Sequence, residues 1–137
     1  MKRQSVYRIG LLIVMSILLV SLGQPVRAQT YAFSVPELRM YVEVQPDASV
    51  RIEYEITFEN QSWADPIDVV DISTPHDDYD LDTFSANLDG QPLTDIGPST
   101  YIDTGVEIHL DEHAIPPGES GTLHVEFTMP DMVYQDV

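Results

Sequence analysis

Two runs of alternating apolar and polar residues flank a short turn between residues 38 and 60. Apolar side chains recur at every second position of both runs, which is the period of half-buried antiparallel strands. They are Leu38, Met40, Val42 and Val44 in the first run, and Val50, Ile52, Tyr54, Ile56 and Phe58 in the second. We therefore predict a β-hairpin whose apolar face supplies half of the core, with later strands covering it.

The register that aligns the two apolar faces also aligns opposite charges on the polar face. It places Arg39 across from Glu55, and Arg51 across from Glu43. Opposed ion pairs of this kind contribute roughly 0.2–1 kcal/mol each, and a slip of one residue would turn the apolar set outward. We predict both ion pairs as structural contacts.

Short alternating segments separated by Pro, Gly and Asp turn signals continue after the hairpin. They predict strands at residues 67–72, 84–88, 101–102, 105–110 and 122–129, with a tight turn at Asp89-Gly90. Pro36 predicts the point where strand pairing starts. No segment has a sustained helical period. We expect one all-β domain over residues 29–137, an antiparallel immunoglobulin- or fibronectin-like sandwich of about seven strands.

The first 28 residues have the organisation of a signal peptide helix. Lys2, Arg3 and Arg8 precede an unbroken apolar run at residues 9–22, and small residues lead up to Ala28. The apolar run is shorter than the ~20 residues that a spanning helix needs. We predict export through the Sec pathway and cleavage after Ala28, which would make the domain extracytoplasmic, either secreted or at the cell surface. An uncleaved membrane anchor is the alternative.

The charge of the remaining chain restricts its partners. After residue 28 only Arg39 and Arg51 oppose 23 acidic residues, giving a formal charge of −21 from 2 basic and 23 acidic groups. Such a field repels phosphates, so we exclude nucleic acid as a partner and expect cations or basic partners. The chain has no Cys, so its stability must come from the core and not from disulfides.

One acidic stretch resembles the start of a calcium-binding loop. Asp77, Asp78, Asp80 and Asp82 supply carboxylates at close spacing, but Thr83 stands where such a loop requires Gly. Calcium is therefore one interpretation, with loops jointly supplying the oxygen ligands. A solvated acidic face is the other.

Residues 109–113 match the H-x-x-E-H pattern of zinc peptidases. Those enzymes carry both His residues on one helix face, whereas His109 lies in a predicted strand and His113 in a loop. On a strand the two would be about 13 Å apart, too far to share zinc. No nucleophile motif is present either, so we predict neither a catalytic residue nor a cofactor other than the possible calcium ion.

The loop at residues 60–66 carries two further candidates. Asn60 begins a formal N-glycosylation sequence, which is a weak signal on its own. Trp63, the only Trp, is expected to cover one end of the core, with a carbohydrate platform as the alternative.

Several stretches resemble the extracytoplasmic N-terminal β-domain of uncharacterised prokaryotic surface or membrane-anchored proteins. They are VEVQPDASVRIEYEITFEN, VVDIS, LDGQPLTDI, GVEIHL and IPPGESGTLHVEFTMP, and they cover most of residues 38–134. One departure is Ala48, where such hairpins usually have Gly. The resemblance transfers no catalytic residue. It implies that further β-domains and a C-terminal membrane helix normally follow, so we expect this chain to be the N-terminal part of a longer protein.

Together these features predict a non-catalytic exported module with a structural or interaction role at the cell surface. Its partner would be a protein or a glycan, and membrane association would come only through a C-terminal region beyond this chain or through an uncleaved leader. The alternatives are a calcium- or carbohydrate-binding module and an accessory domain of an exported hydrolase.

Overall fold

The computed structural model describes residues 29–133. The predicted signal peptide helix and its cleavage site lie outside the described residues. Two short 3-10 helices, Leu81–Thr83 and Asp111–His113, interrupt a series of eight strands. The strands are β1 (Phe33–Val44), β2 (Val50–Asn60), β3 (Val69–Ser73), β4 (Ser85–Leu88), β5 (Gln91–Leu93), β6 (Ile96–Pro98), β7 (Gly105–His109) and β8 (Ser120–Met129).

The strands form two antiparallel sheets. The larger sheet has the order β1-β2-β8-β4-β5, and the smaller has the order β3-β7-β6. One continuous cluster of buried side chains draws on both sheets. The predicted all-β sandwich is thereby confirmed, with eight strands. None of the helices within residues 29–133 has the length and apolar character needed to cross a membrane.

The hairpin of β1 and β2 has the predicted register. Val44 lies opposite Val50, and the pairing continues residue by residue toward the start of β1. It begins at Phe33, so the prediction that Pro36 marks its start is wrong. Pro36 instead lies inside an irregularity between Ser34 and Glu37. The ladder is interrupted there, so the N–H group that Pro lacks is not required for pairing.

The turn of this hairpin is closed by local hydrogen bonds. The Gln45 N–H donates to the Ser49 carbonyl over 2.9 Å, and the Ala48 N–H donates to the Gln45 carbonyl over 3.1 Å. The Asp47 carboxylate accepts from the Ser49 N–H and hydroxyl. Ala48 has a φ of 71°, a left-handed conformation that costs a residue with a Cβ atom roughly 1–2 kcal/mol. The turn therefore needs the conformation that Gly would supply, although Gly is absent.

The core is centred on the pairing of β2 with β8. Ten residue pairs join these strands, from Val50 opposite Met129 to Glu59 opposite Ser120. The apolar alternation predicted for the last strand is confirmed, because its inward side chains are at most 1% exposed; these are Leu123, Val125, Phe127 and Met129. Phe127 also stacks on Phe84 of the segment before β4, with ring centroids 4.5 Å apart.

The apolar face of β1 is not part of this core, and the prediction that later strands cover it is wrong. All twelve residues of β1 are exposed, whereas the apolar positions of β2 are buried or half-buried. The physical reason is the number of strands in each layer, because three strands cannot cover five at equal spacing. β1 is left without a facing strand.

The predicted strand at residues 101–102 is also wrong. Three residues earlier the chain forms β6, where Ile96 lies opposite Ile108 of β7. The Ser99 hydroxyl then accepts hydrogen bonds from the N–H groups of Tyr101 and Ile102, both over 3.0 Å. A serine side chain that bonds backbone groups in this way favours a turn over a strand.

A matched pair of Val→Thr substitutions tests where the core ends. Val125→Thr in β8 would bury a hydroxyl group in an apolar environment, and we expect it to lower the free energy of unfolding by about 1–3 kcal/mol. Val42→Thr in β1 keeps the β-branched shape at an exposed position, and we expect a change within about 0.5 kcal/mol. Urea denaturation followed by circular dichroism measures both. Similar losses for the two variants would mean that the β1 face is covered.

The left-handed Ala48 gives a second stability prediction. Ala48→Gly removes the steric cost of the positive φ and adds chain entropy to the unfolded state, so we expect a net gain of about 0.5–1 kcal/mol. Ala114→Gly is the control, since Ala114 has a φ of −46° and should lose stability on the same change. Thermal unfolding of both variants measures the difference, and equal losses would contradict the assigned turn.

Candidate interaction surface

The exposed apolar face of β1 is the largest departure from what folding alone requires. Leu38, Met40, Val42 and Val44 are 58%, 54%, 54% and 62% exposed. They lie in one row because successive side chains of a strand alternate between its two faces. Contiguous exposed apolar patches of this kind mark interaction sites in soluble proteins. The apolar face of the hairpin is thus buried or half-buried where it belongs to β2 and exposed to solvent where it continues onto β1.

An apolar groove adjoins this face. It has a volume of about 930 Å³ and lies between the start of β1 and the outer edge strand of the smaller sheet. Its apolar lining comes from both sheets and includes Phe33, Leu38, Phe58, Val69 and Ile72. Phe33 contacts Phe58 edge to face, with ring centroids 5.5 Å apart. β3 pairs with β7 on one side, and within residues 29–133 no strand pairs with its other side. The groove is therefore left open along that side of β3.

The lead-in before β1, residues 29–32, contributes Gln29 and Tyr31 to the lining of this groove. Asp68 accepts hydrogen bonds from the Tyr31 hydroxyl and, over 3.0 Å, from the Gln29 side-chain amide. Burial opposes ionisation of Asp68, but these two hydrogen bonds hold its pKa below the usual range. Burial and the neighbouring Asp68 raise the pKa of Tyr31 to about 12. A neutral phenol and an ionised carboxylate thus anchor the lead-in at neutral pH.

The loop at residues 99–102 also lines the groove, through Thr100, Tyr101 and Ile102. The Thr100 N–H and hydroxyl both donate to Glu107 over 3.0 Å, and the Ser99 hydroxyl donates to Asp71. The hydrogen bonds from Thr100 and His109 hold the pKa of Glu107 below its usual range, and Glu107 in turn raises the pKa of His109. The rim of the groove is therefore polar and carries carboxylates, while its floor is apolar.

The structure brings both predicted arginine–carboxylate pairs together. Arg39 Nη1 lies 2.8 Å from Glu55, and Arg39 Nη2 lies 2.5 Å from Glu37 on its own strand. Arg51 lies 3.6 Å from Glu43, a longer contact that involves no hydrogen bond. Glu43 is consequently the least tightly held of these carboxylates.

The strongest partner of Arg51 is one that sequence reasoning missed. Glu126 of β8 accepts two parallel hydrogen bonds from Arg51, from Nε over 2.7 Å and from Nη2 over 2.6 Å. This bidentate geometry is the most favourable one for a guanidinium and a carboxylate. The hydrogen bonds from Arg51 hold the pKa of Glu126 below its usual range. Only the strand order, in which β8 lies beside β2, could have indicated this pair.

The four candidate calcium ligands are dispersed along an exposed segment. Asp77, Asp78, Asp80 and Asp82 are all exposed, and Asp80 caps the first 3-10 helix by accepting from the Asp82 N–H over 3.0 Å. In the described part of the chain no three acidic or histidine side chains are grouped so as to hold a metal ion. Calcium binding stays a prediction.

The histidines of the H-x-x-E-H pattern are on different elements. His109 ends β7 and bonds Glu107, whereas His113 ends the second 3-10 helix. The pattern does not form the single helix face that a zinc peptidase uses.

Asn60, which begins the glycosylation sequence, is buried, whereas Trp63, expected to cover the core, is exposed. The Asn60 side chain is buried, and its amide nitrogen donates to the carbonyls of Asp65 and Ile115 over 2.9 and 3.0 Å. An amide held in this way is closed to a glycan in the folded domain. Trp63 is 69% exposed, so the prediction that it covers the core is wrong. The carbohydrate alternative for Trp63 stays a prediction.

No family model matches this chain, and neither the curated proteins nor the solved structures contain a significant match.

The Arg51–Glu126 pair predicts a pH-dependent contribution to stability. Because the pKa of Glu126 is lowered in the folded state, its contribution is complete above the unfolded-state value of about 4.3 and is lost as the pH falls through the folded-state pKa. We expect Glu126→Gln to be less stable than the wild type at pH 7, and we expect this difference to disappear as the pH falls through the folded-state pKa of Glu126. Urea denaturation at several pH values measures this difference.

The control for that prediction is an Arg51→Gln background. There Glu126→Gln should have little effect at any pH, because the partner that lowers the pKa is gone. An undiminished effect of Glu126→Gln in this background would show that another group stabilises the carboxylate.

Proposed function

We propose that this domain is a non-catalytic interaction module at the cell surface, and that it contacts its partner through the apolar face of β1 and the adjoining groove. The observation that carries the proposal is the row of apolar side chains along β1, each more than half exposed. Each square ångström of apolar surface that leaves water contributes about 25 cal/mol. A partner on this face would therefore gain free energy that the isolated domain leaves unused.

The architecture of the groove supports the same proposal. β1 and β3 are edge strands of different sheets, and residues of both strands line the largely apolar groove. Strand addition to an open edge is a common mode of polypeptide recognition, in which main-chain hydrogen bonds supply affinity and alternate side chains supply specificity. An extended polypeptide fits this surface better than a compact small molecule does.

The cell-surface location in this proposal rests on the leader sequence. A basic segment, a short apolar run and small residues before Ala28 are the features of an export signal. After that point 23 acidic residues oppose two arginines, and the mutual repulsion of this excess charge favours solubility of an exported domain. Acidic surfaces repel one another, so the apolar face of β1 is the part of the surface that is suited to close contact.

Site-specific photo-crosslinking in exporting cells tests the proposal. A photoreactive amino acid at Val42 would lie on the apolar face of β1, and one at Gln91 would lie on β5, the opposite edge of the same sheet. We expect a discrete crosslinked band from Val42 and little from Gln91, because only the first position faces the proposed partner. Equal yields from the two positions would contradict the proposal. The mass of the band reports whether the partner is a second copy or another protein.

A further inference from the structure

The edge strands of this domain differ sharply in how well they are protected. β5 and β6 have three residues each and contain Pro92 and Pro98, while β3 has five residues. Short edges and prolines are devices by which proteins prevent edge-to-edge pairing. β1 has twelve residues. Its first part is protected by Pro36 and by the irregularity between Ser34 and Glu37. The regular stretch from residue 38 to residue 44 has no such protection.

This unprotected stretch is complementary to itself. When two copies pair antiparallel about a two-fold axis at Tyr41, Arg39 of each copy lies opposite Glu43 of the other. The same register places Met40 opposite Val42 and Leu38 opposite Val44. Every apolar side chain therefore meets an apolar one, and every charge meets its opposite. Opposed pairs of both kinds are the units that stabilise antiparallel sheets.

The neighbouring registers are worse. A pleated sheet requires opposed residues to share a face, so the axis must pass through a residue and can move only in steps of one position. An axis at Val42 would oppose Tyr41 to Glu43 and Arg39 to Gln45 at the hairpin turn, so that neither charge meets its opposite. An axis at Met40 would oppose Glu37 to Glu43, and an axis at Arg39 would oppose two guanidinium groups. An axis at Leu38 would require Pro36 to pair within the irregular part of the strand. The register about Tyr41 avoids all of these conflicts.

We propose that two copies of this domain associate through the outer edge of β1, with Tyr41 on the two-fold axis, and thereby join their larger sheets into one ten-stranded sheet. This inference rests on the proposed function, because it names a second copy as the partner of the β1 surface. Glu43 is available for the contact. Its side chain is 66% exposed, and its contact with Arg51 at 3.6 Å involves no hydrogen bond. Arg39 can keep Glu55 on one side while it contacts Glu43 of the second copy.

Seven residue pairs bury little area compared with the 1,200–2,000 Å² of a stable interface. The large negative charge of each copy also opposes association, although salt at 0.15 M screens it beyond about 8 Å. We therefore expect a reversible dimer whose population rises with protein concentration and with ionic strength.

Charge reversal at the two complementary positions tests the inference. In the exported protein, Arg39→Glu alone opposes carboxylates at positions 39 and 43, and Glu43→Arg alone opposes guanidinium groups there. We expect each variant by itself to associate at least roughly tenfold more weakly than the wild type. An equimolar mixture should form a heterodimer, because the carboxylate introduced at position 39 then faces the guanidinium introduced at position 43. Sedimentation velocity over a concentration series measures all three samples.

Disulfide formation by a single introduced cysteine tests the register independently. The chain has no Cys, so a single introduced thiol can pair only with its copy. Tyr41→Cys places the two thiols directly opposite each other, within the Cα separation of a disulfide, and should give a covalent dimer on mild oxidation. Glu43→Cys is the control on the same face of β1. Its two copies would be about 13 Å apart in this register and should stay largely unlinked.

The outcomes separate this inference from the proposed function. Pairing about Tyr41 is supported if the equimolar mixture forms a heterodimer and if Tyr41→Cys, but not Glu43→Cys, gives a covalent dimer. A wild-type protein that stays monomeric, or a mixture that associates no better than the single variants, overturns the inference. If Val42 then still crosslinks to a different protein in cells, the proposed function stands without the dimer. If Val42 yields no more crosslink than Gln91, the proposed function itself fails.

Discussion

The pairing of β2 with β8 is the constraint on which the rest of the molecule depends. These are the longest neighbouring strands of the core, and ten residue pairs hold them in one register. Their buried faces supply most of the larger sheet's contribution to the core, including Ile52, Ile56, Val125 and Phe127. The position of every other strand follows from this pair. β4 pairs with the far side of β8, β1 pairs with the far side of β2, and the smaller sheet covers the middle.

That arrangement also explains why the proposed contact surface lies on β1. The buried side chains of the larger sheet extend from β2 through β8 and β4 to Leu93 of β5, and none of them lies on β1. β1 is therefore held by its ladder to β2 and not by burial, and it retains the alternating pattern of a core strand at an exposed position. A sequence pattern that normally indicates burial thus leads, in this architecture, to an exposed apolar face, and that exposure is the basis of the proposed contact with another chain.

Local features of the fold could be predicted from the sequence, while features that depend on the layer arrangement could not. The register of the hairpin followed from alternating apolar residues and from the matching charges of Arg39 and Glu55, because both depend on residues close in the chain. The exposure of Val42 did not follow, since alternation says which face is apolar and not whether a layer covers it. The Arg51–Glu126 pair needed the strand order, which joins residues 75 positions apart.

The short strands were the least predictable part. Ile96 forms a strand although Gly97 and Pro98 follow it, because Ile108 of β7 offers a neighbouring edge. Tyr101 and Ile102 have the better strand composition, yet the Ser99 hydroxyl draws their N–H groups into a turn. In both places contacts formed by tertiary structure override the intrinsic preference.

The anchoring of the lead-in determines how the domain would respond to mechanical load. Tyr31 and Thr30 tie the lead-in, residues 29–32, to Asp68 and Asp65, and β1 begins directly afterwards at the open end of its hairpin. A force applied at the N-terminal end would first load these hydrogen bonds and then open the β1–β2 ladder one pair at a time. Because β1 contributes no buried side chain, detaching it would break its ladder to β2 and the Phe33–Phe58 contact without withdrawing a side chain from the core. The edge strand is therefore the first part of the sandwich that tension on the lead-in would reach.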